Sequence, residues 1–140
     1  MRFWDSSAIV PLLVKQPRSP DAERWLSEDS DLMVWTLSPV EVTSALQRLV
    51  REGSLEANDV ARAEALSVEI ARAANVVADV EPVKQLAQRA LRLHPLRAAD
   101  ALQLGAALAC AQGLTAGLVF HTFHGRLAKA AERDGFDVRG

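Results

Sequence analysis

Three acidic residues stand where an α/β chain usually does its chemistry. Asp5 directly follows the extended run Met1-Arg2-Phe3-Trp4, Glu41 lies just past the β-rich run Leu32-Met33-Val34-Trp35-Thr36, and Asp100 sits in the first turns before the apolar stretch that starts at Ala101. Ligands of open α/β sheets bind beyond the carboxyl ends of parallel strands, so acids at strand exits converge on one edge. Converging carboxylates need cations, and their hard oxygens suit Mg²⁺ or Mn²⁺. Clusters of this kind cut phosphodiesters by activating a water and offsetting charge on the phosphate. No paired cysteine or histidine motif points to structural zinc instead.

Each acid also has a purely structural alternative. Asp5 precedes Ser6 and Ser7 and can serve as a helix cap. Ser38 and Glu41 have the spacing of a capping box, in which the glutamate bonds back to the cap residue. Arg97 and Asp100, three apart, share a helix face and can form an ion pair. The functional reading of Asp100 is preferred, because acids rarely sit unpaired on buried helices. His94, at a helix end before Pro95, reads as structural, and Cys110 as a small core residue.

The elements that must position these side chains alternate between two periodicities. Ala8 to Val14 reads as a short buried helix with Pro11 in its first turn, and Ser19-Pro20-Asp21 opens a second. A strand over Leu32–Thr36 leads to a helix from Ser38 that Gly53 stops, then to a longer one near Ala57–Ala73. Val76–Ala78, Leu118–Phe120 and Phe136–Val138 are further short strands, separated by helices from Glu81, from Leu96 to Ala111, and from Arg126 to Arg133. This alternation predicts a three-layer α/β domain over residues 1–140, with a central parallel sheet of four to five strands flanked by helices.

Composition narrows the function. With 140 residues, 49% hydrophobic and 24% charged, the chain matches one soluble domain. A net charge of −2 gives no global basic field, so contact with nucleic acid must rest on a local patch or on bound cations. The single cysteine excludes an internal disulfide, and no run approaches the roughly 18 apolar residues of a membrane span. Asp5 interrupts any leader-like start, so a cytoplasmic location is expected.

Four ordered segments carry a resemblance. Asp5-Ser6-Ser7-Ala8, Ser38-Pro39-Val40-Glu41-Val42, Leu96-Arg97-Ala98-Ala99-Asp100-Ala101-Leu102-Gln103-Leu104, and Thr122 through Leu127 with Ala130-Ala131 and Gly135-Phe136 are similar to the motifs of the PIN-domain family. The chain resembles in particular the small ribonuclease toxins of bacterial and archaeal VapBC toxin–antitoxin pairs, over essentially its whole length. That resemblance implies a metal-dependent endoribonuclease with the first strand central in the sheet. It implies Asp5, Glu41 and Asp100 as ligands of Mg²⁺ or Mn²⁺, and Ser7 and Thr122 as hydroxyls behind them. It further implies a homodimer and a small antitoxin that occupies the acid-lined groove.

One position departs from the family pattern. Where the fourth motif usually has an aspartate, this chain has His124, an imidazole that can join Mn²⁺ but suits hard Mg²⁺ poorly. The expected consequence is a weakened second metal site; the bland alternative is a helix-start residue facing water. His121 lies on or beside the preceding strand and can face the opposite way. Arg97, with Lys15, Arg18 or Arg126, is expected to seat RNA. A competing reading is a degenerate protein that only dimerises and holds an antitoxin, which His124 keeps open. Phosphotransfer of the haloacid dehalogenase kind wants a second aspartate where Ser7 stands, and is disfavoured.

Overall fold

The structure, a computed structural model, describes residues 1–140. The chain opens on β1 (Arg2–Trp4) and turns at Asp5 into α1 (Ser6–Leu13), followed by α2 (Ser19–Glu28) and β2 (Leu32–Trp35). A second crossover, α3 (Ser38–Arg51) with α4 (Ala57–Ala73), leads to β3 (Asn75–Val77). A third, α5 (Val80–Leu93) with α6 (Ala98–Ala111), leads to β4 (Val119–His121), and α7 (Gly125–Arg133) delivers the edge strand β5 (Asp137–Arg139). The strand order is β3-β2-β1-β4-β5 and every pairing is parallel, as helical crossovers require. From central β1 the chain moves outward through β2 and β3, then returns to build β4 and β5 on the other side. The carboxyl end of β1 is therefore where the sheet order reverses and a crevice opens.

Strands this short cannot hold a sheet by ladder bonds alone, and their alternating side chains tie it to a layer of helices on each face. Phe3 and Phe120 stack at 5.2 Å on the side of α5, α6 and α7, where Val83, Leu104 and Leu127 are buried with them. Trp4 points the other way, among Ile9, Trp25, Val34, Val42 and Leu46 from α1 to α3 and β2. Each large apolar side chain so buried contributes roughly 1.5–3 kcal/mol. These two cores make the three-layer α/β architecture, with the α1–α4 layer and the α5–α7 layer enclosing the sheet.

Local differences from the sequence reading have local causes. α1 starts already at Ser6, because Asp5 caps it, so Pro11 lies inside the helix rather than in its first turn. The Pro11 carbonyl accepts from the Ser19 hydroxyl at 2.6 Å, which takes that hydroxyl away from capping α2. β3 begins one residue earlier than expected and β4 and β5 one residue later, which brings His121 into the sheet. α6 is capped by Gln112 in the left-handed conformation, φ 48°, with Gly113 next at φ 82°.

Candidate active site

Asp5 leaves the end of β1 with its N–H still bonded to the His121 carbonyl at 3.0 Å, so the strand pairing carries its backbone to the sheet edge. Its side chain is 1% exposed, and a carboxylate buried that deeply needs partners. Oδ2 accepts from the Ser7 N–H at 3.2 Å, from the Ser7 hydroxyl, and from the Thr122 hydroxyl at 2.9 Å. The cap and the site are thus the same residue. Ser7 also accepts from the Phe123 N–H at 2.9 Å, and Thr122 from the His124 N–H at 3.1 Å, which knits the exits of β1 and β4 together.

Glu41 forms no capping box. Leu37 is the cap residue of α3 and makes no side-chain bond, while the Glu41 carboxylate turns toward the amide of Gln103. Gln103 is fully buried and its Nε2 also donates to the Ser38 hydroxyl at 3.1 Å, so α6 grips the first turn of α3 through one amide. Burial is the first reason that the Glu41 carboxyl is pushed up to about 7; the nearby charges of Asp5 and Asp100 push the same way, and the Gln103 amide opposes them.

Asp100, in the first turn of α6, does not pair with Arg97. Its Oδ1 stands 3.2 Å from Nδ1 of His124, the residue that precedes α7, and the same nitrogen is 3.9 Å from Asp5 Oδ2. His124 is half exposed, yet it faces the acids and not only water. Its hydrogen bond to Asp100 is the main reason that the imidazole holds its proton more firmly than usual, with Asp5, Asp100 and Glu41 adding attraction. His121 is different in kind. It is buried between Trp4 and Trp25, each ring 4.5 Å away, and burial first, then Arg2 and Arg139, lowers its pKa to about 3.

Glu41, Asp100 and His124 open onto a cleft of about 540 Å³ with Ser7, Arg48 and Phe123 on its walls. A neighbouring cleft of about 530 Å³ shares Gln16 and Leu49 with it and is lined by Lys15 and Arg62. Arg18 stands at the same end of the molecule, its guanidinium 4.4 Å from the centre of the Phe123 ring. Arg97 and Arg126 are exposed and line neither cleft.

Glu41 and Asp100 line this cleft and Asp5 lies buried beside it, and Glu41 takes up a proton more readily than an ordinary carboxyl. As the side chains stand, no three of the His, Cys, Asp or Glu groups are spaced to hold a metal ion. The carboxylates are engaged by hydroxyls, an amide and an imidazole. Two residues of this site escape reading by motif alone. Arg48 is seven residues after Glu41 and Gln103 three after Asp100, spacings that put each on the acid's helix face.

The family described as PIN domain matches residues 2–132. The chain is similar in fold to Mycobacterium tuberculosis VapC20, a sarcin-ricin loop cleaving toxin, with a TM-score of 0.68 at 18% identity over 93% of this chain and 95% of that one. It is similar to PAE2754 from Pyrobaculum aerophilum, TM-score 0.66 and 20% identity over 98% and 87%, and to FitAcB from Neisseria gonorrhoeae, 0.65 and 17% over 100% and 97%. No curated protein matches the sequence.

Proposed function

The chain belongs to the PIN domain family, and on that footing we propose that it is a metal-dependent endoribonuclease and the toxin of a toxin–antitoxin pair. The observation that carries this reading is the meeting of Asp5, Glu41 and Asp100, from three separate elements, at the reversal point of a parallel sheet. VapC20, similar in fold, is a sarcin-ricin loop cleaving toxin, which supports RNA as the substrate class here.

In this reading Asp5, Glu41 and Asp100 hold Mg²⁺ or Mn²⁺. Such a cation, when bound, lowers the pKa of a water and offsets charge on the phosphate. Ser7 and Thr122 fix the Asp5 carboxylate through Oδ2, and Gln103 fixes that of Glu41. Arg48 on the cleft wall, Lys15 in the adjoining cleft and Arg18 at the rim seat the strand; Arg97 and Arg126, outside both clefts, are the less favoured partners. A small antitoxin covers the acid-lined cleft, and the toxin is a homodimer. His124, in place of the family's aspartate, brings an imidazole that holds its proton firmly against Asp100, so a second cation is held weakly.

The same histidine favours a second reading, in which an internal cation has replaced the catalytic one and the protein only binds its antitoxin. The deciding experiment is cleavage of a mixed cellular RNA pool by purified, antitoxin-free protein with Mg²⁺, Mn²⁺ or EDTA, beside Asp100→Asn. Metal-dependent cutting that disappears in the variant is the expected result. No cutting under any metal leaves the binding-only reading.

A further inference from the structure

An aromatic column runs from the core to the rim of the acidic cleft. His121 and Trp25 stack with ring centres 4.5 Å apart and 24° between planes, and Trp25 stacks in turn on Phe123 at 5.2 Å and 25°. The guanidinium of Arg18 also packs on Phe123, its carbon 4.4 Å from the ring centre. The column therefore ends in a planar cation, and 48% of the Arg18 side chain remains exposed.

Two further contacts fix this end group. Arg18 Nε lies 3.1 Å from Asp21 Oδ2, and the backbone N–H of Phe123 donates to Ser7 Oγ, the hydroxyl that also holds Asp5. The platform is thereby tied to the catalytic acids through one serine. A solvated arginine would hold phosphates as a mobile charge, whereas this one is held in place by the Phe123 ring and by Asp21.

We propose that Arg18, backed by Phe123 and Trp25, is a stacking platform for a nucleobase of the strand whose phosphate lies at the acids. The inference rests on the ribonuclease reading and deepens it. Unstacked bases of single-stranded RNA settle on guanidinium planes as they do on aromatic rings, with little demand on base identity. The proposal assigns Arg18 to the base and leaves phosphate contact to Arg48 and Lys15.

The test compares two ligands in Mg²⁺ on an Asp100→Asn background that does not cut: a fluorescent single-stranded RNA and a base-free ribose phosphate strand of equal length. Arg18→Lys keeps the charge and removes the plane. It is expected to bind the RNA about fivefold or more weakly while binding the base-free strand as its parent does. Phe123→Leu, which keeps Arg18 and removes its backing ring, should give the same pattern. Arg18→Lys binding RNA as tightly as the parent overturns the platform, and so does an equal loss on both ligands. A parent that binds neither ligand overturns the ribonuclease reading along with it.

Discussion

Glu41 shows what the site costs the protein without a cation. Its carboxyl titrates near 7 in the fold and near 4.5 when ordinarily solvated. Between those values the folded state keeps a proton that the unfolded state has released, so stability falls as pH rises through the window and the loss persists above it. Glu41→Gln removes that penalty and leaves an amide that can meet Gln103. In EDTA the variant should be more stable than the parent at pH 8, by about 2 kcal/mol, and equal to it near pH 4. Thermal melts at the two pH values check this, and an advantage that is the same at both would contradict the burial of charge as its cause. In Mg²⁺ the order should reverse, because only the parent gains from binding. His124 is the second lever. His124→Asp exchanges a proton-holding imidazole for a hard oxygen donor and should raise Mg²⁺ affinity about tenfold, read by calorimetric titration. Unchanged affinity would mean that His124 stands outside the cation's reach. Asp5 and Glu41 were legible in the sequence as strand-exit residues and Asp100 as an acid in the first turn of a buried helix, but their partners were not. The Gln103 amide meets a carboxylate 62 residues away, a pairing that neither helix announces by itself.

At the scale of elements, everything depends on where α6 lies, since its first two turns bring both Asp100 and Gln103. It is apolar and rich in small residues, and at Gly105 it approaches α5 closely. A Cβ added to Gly105 would lie 2.8 Å from the Val83 carbonyl oxygen and 2.9 Å from the Ala87 nitrogen, both backbone atoms that cannot rotate away. Two effects then oppose each other. Alanine in a helix interior gains about 1 kcal/mol over glycine, and overpacking of a fitted contact costs about 1–3 kcal/mol. The backbone clash is the larger, so Gly105→Ala should lower stability by about 1 kcal/mol in denaturant titration. It should also reduce cleavage by more than the loss of folded protein explains, because α6 must move with its acid. A stabilised variant would refute this account of the packing. Helix periodicity made α3 to α7 readable to within a few residues, whereas strand ends shifted by one. A three-residue strand carries too few side chains for its period to fix its bounds, and its partners decide them.

For the molecule as a whole, the sheet order concentrates chemistry at one edge while the net charge of −2 leaves the rest of the surface without a basic field. RNA must then be held by the few cations that the fold brings to that edge, Arg48, Lys15 and Arg18, and by whatever cation the acids hold. The acids themselves repel phosphate, so a strand can approach only along the basic walls until that charge is met. The two phosphate contacts, from Arg48 and Lys15, give a shallow dependence on ionic strength, with log K falling against log salt at a slope of about −1.4 for a single strand. Arg48→Ala should flatten that slope by about 0.7, because it removes one counterion-releasing contact from the cleft wall. Arg18→Lys, which preserves charge, should leave the slope unchanged while weakening binding at every salt concentration. Fluorescence titrations of one RNA across a salt series measure all three quantities. A slope steeper than about −4 would require more cations than the two clefts and their rim supply, and would move the RNA path to a surface built by a second copy of the chain.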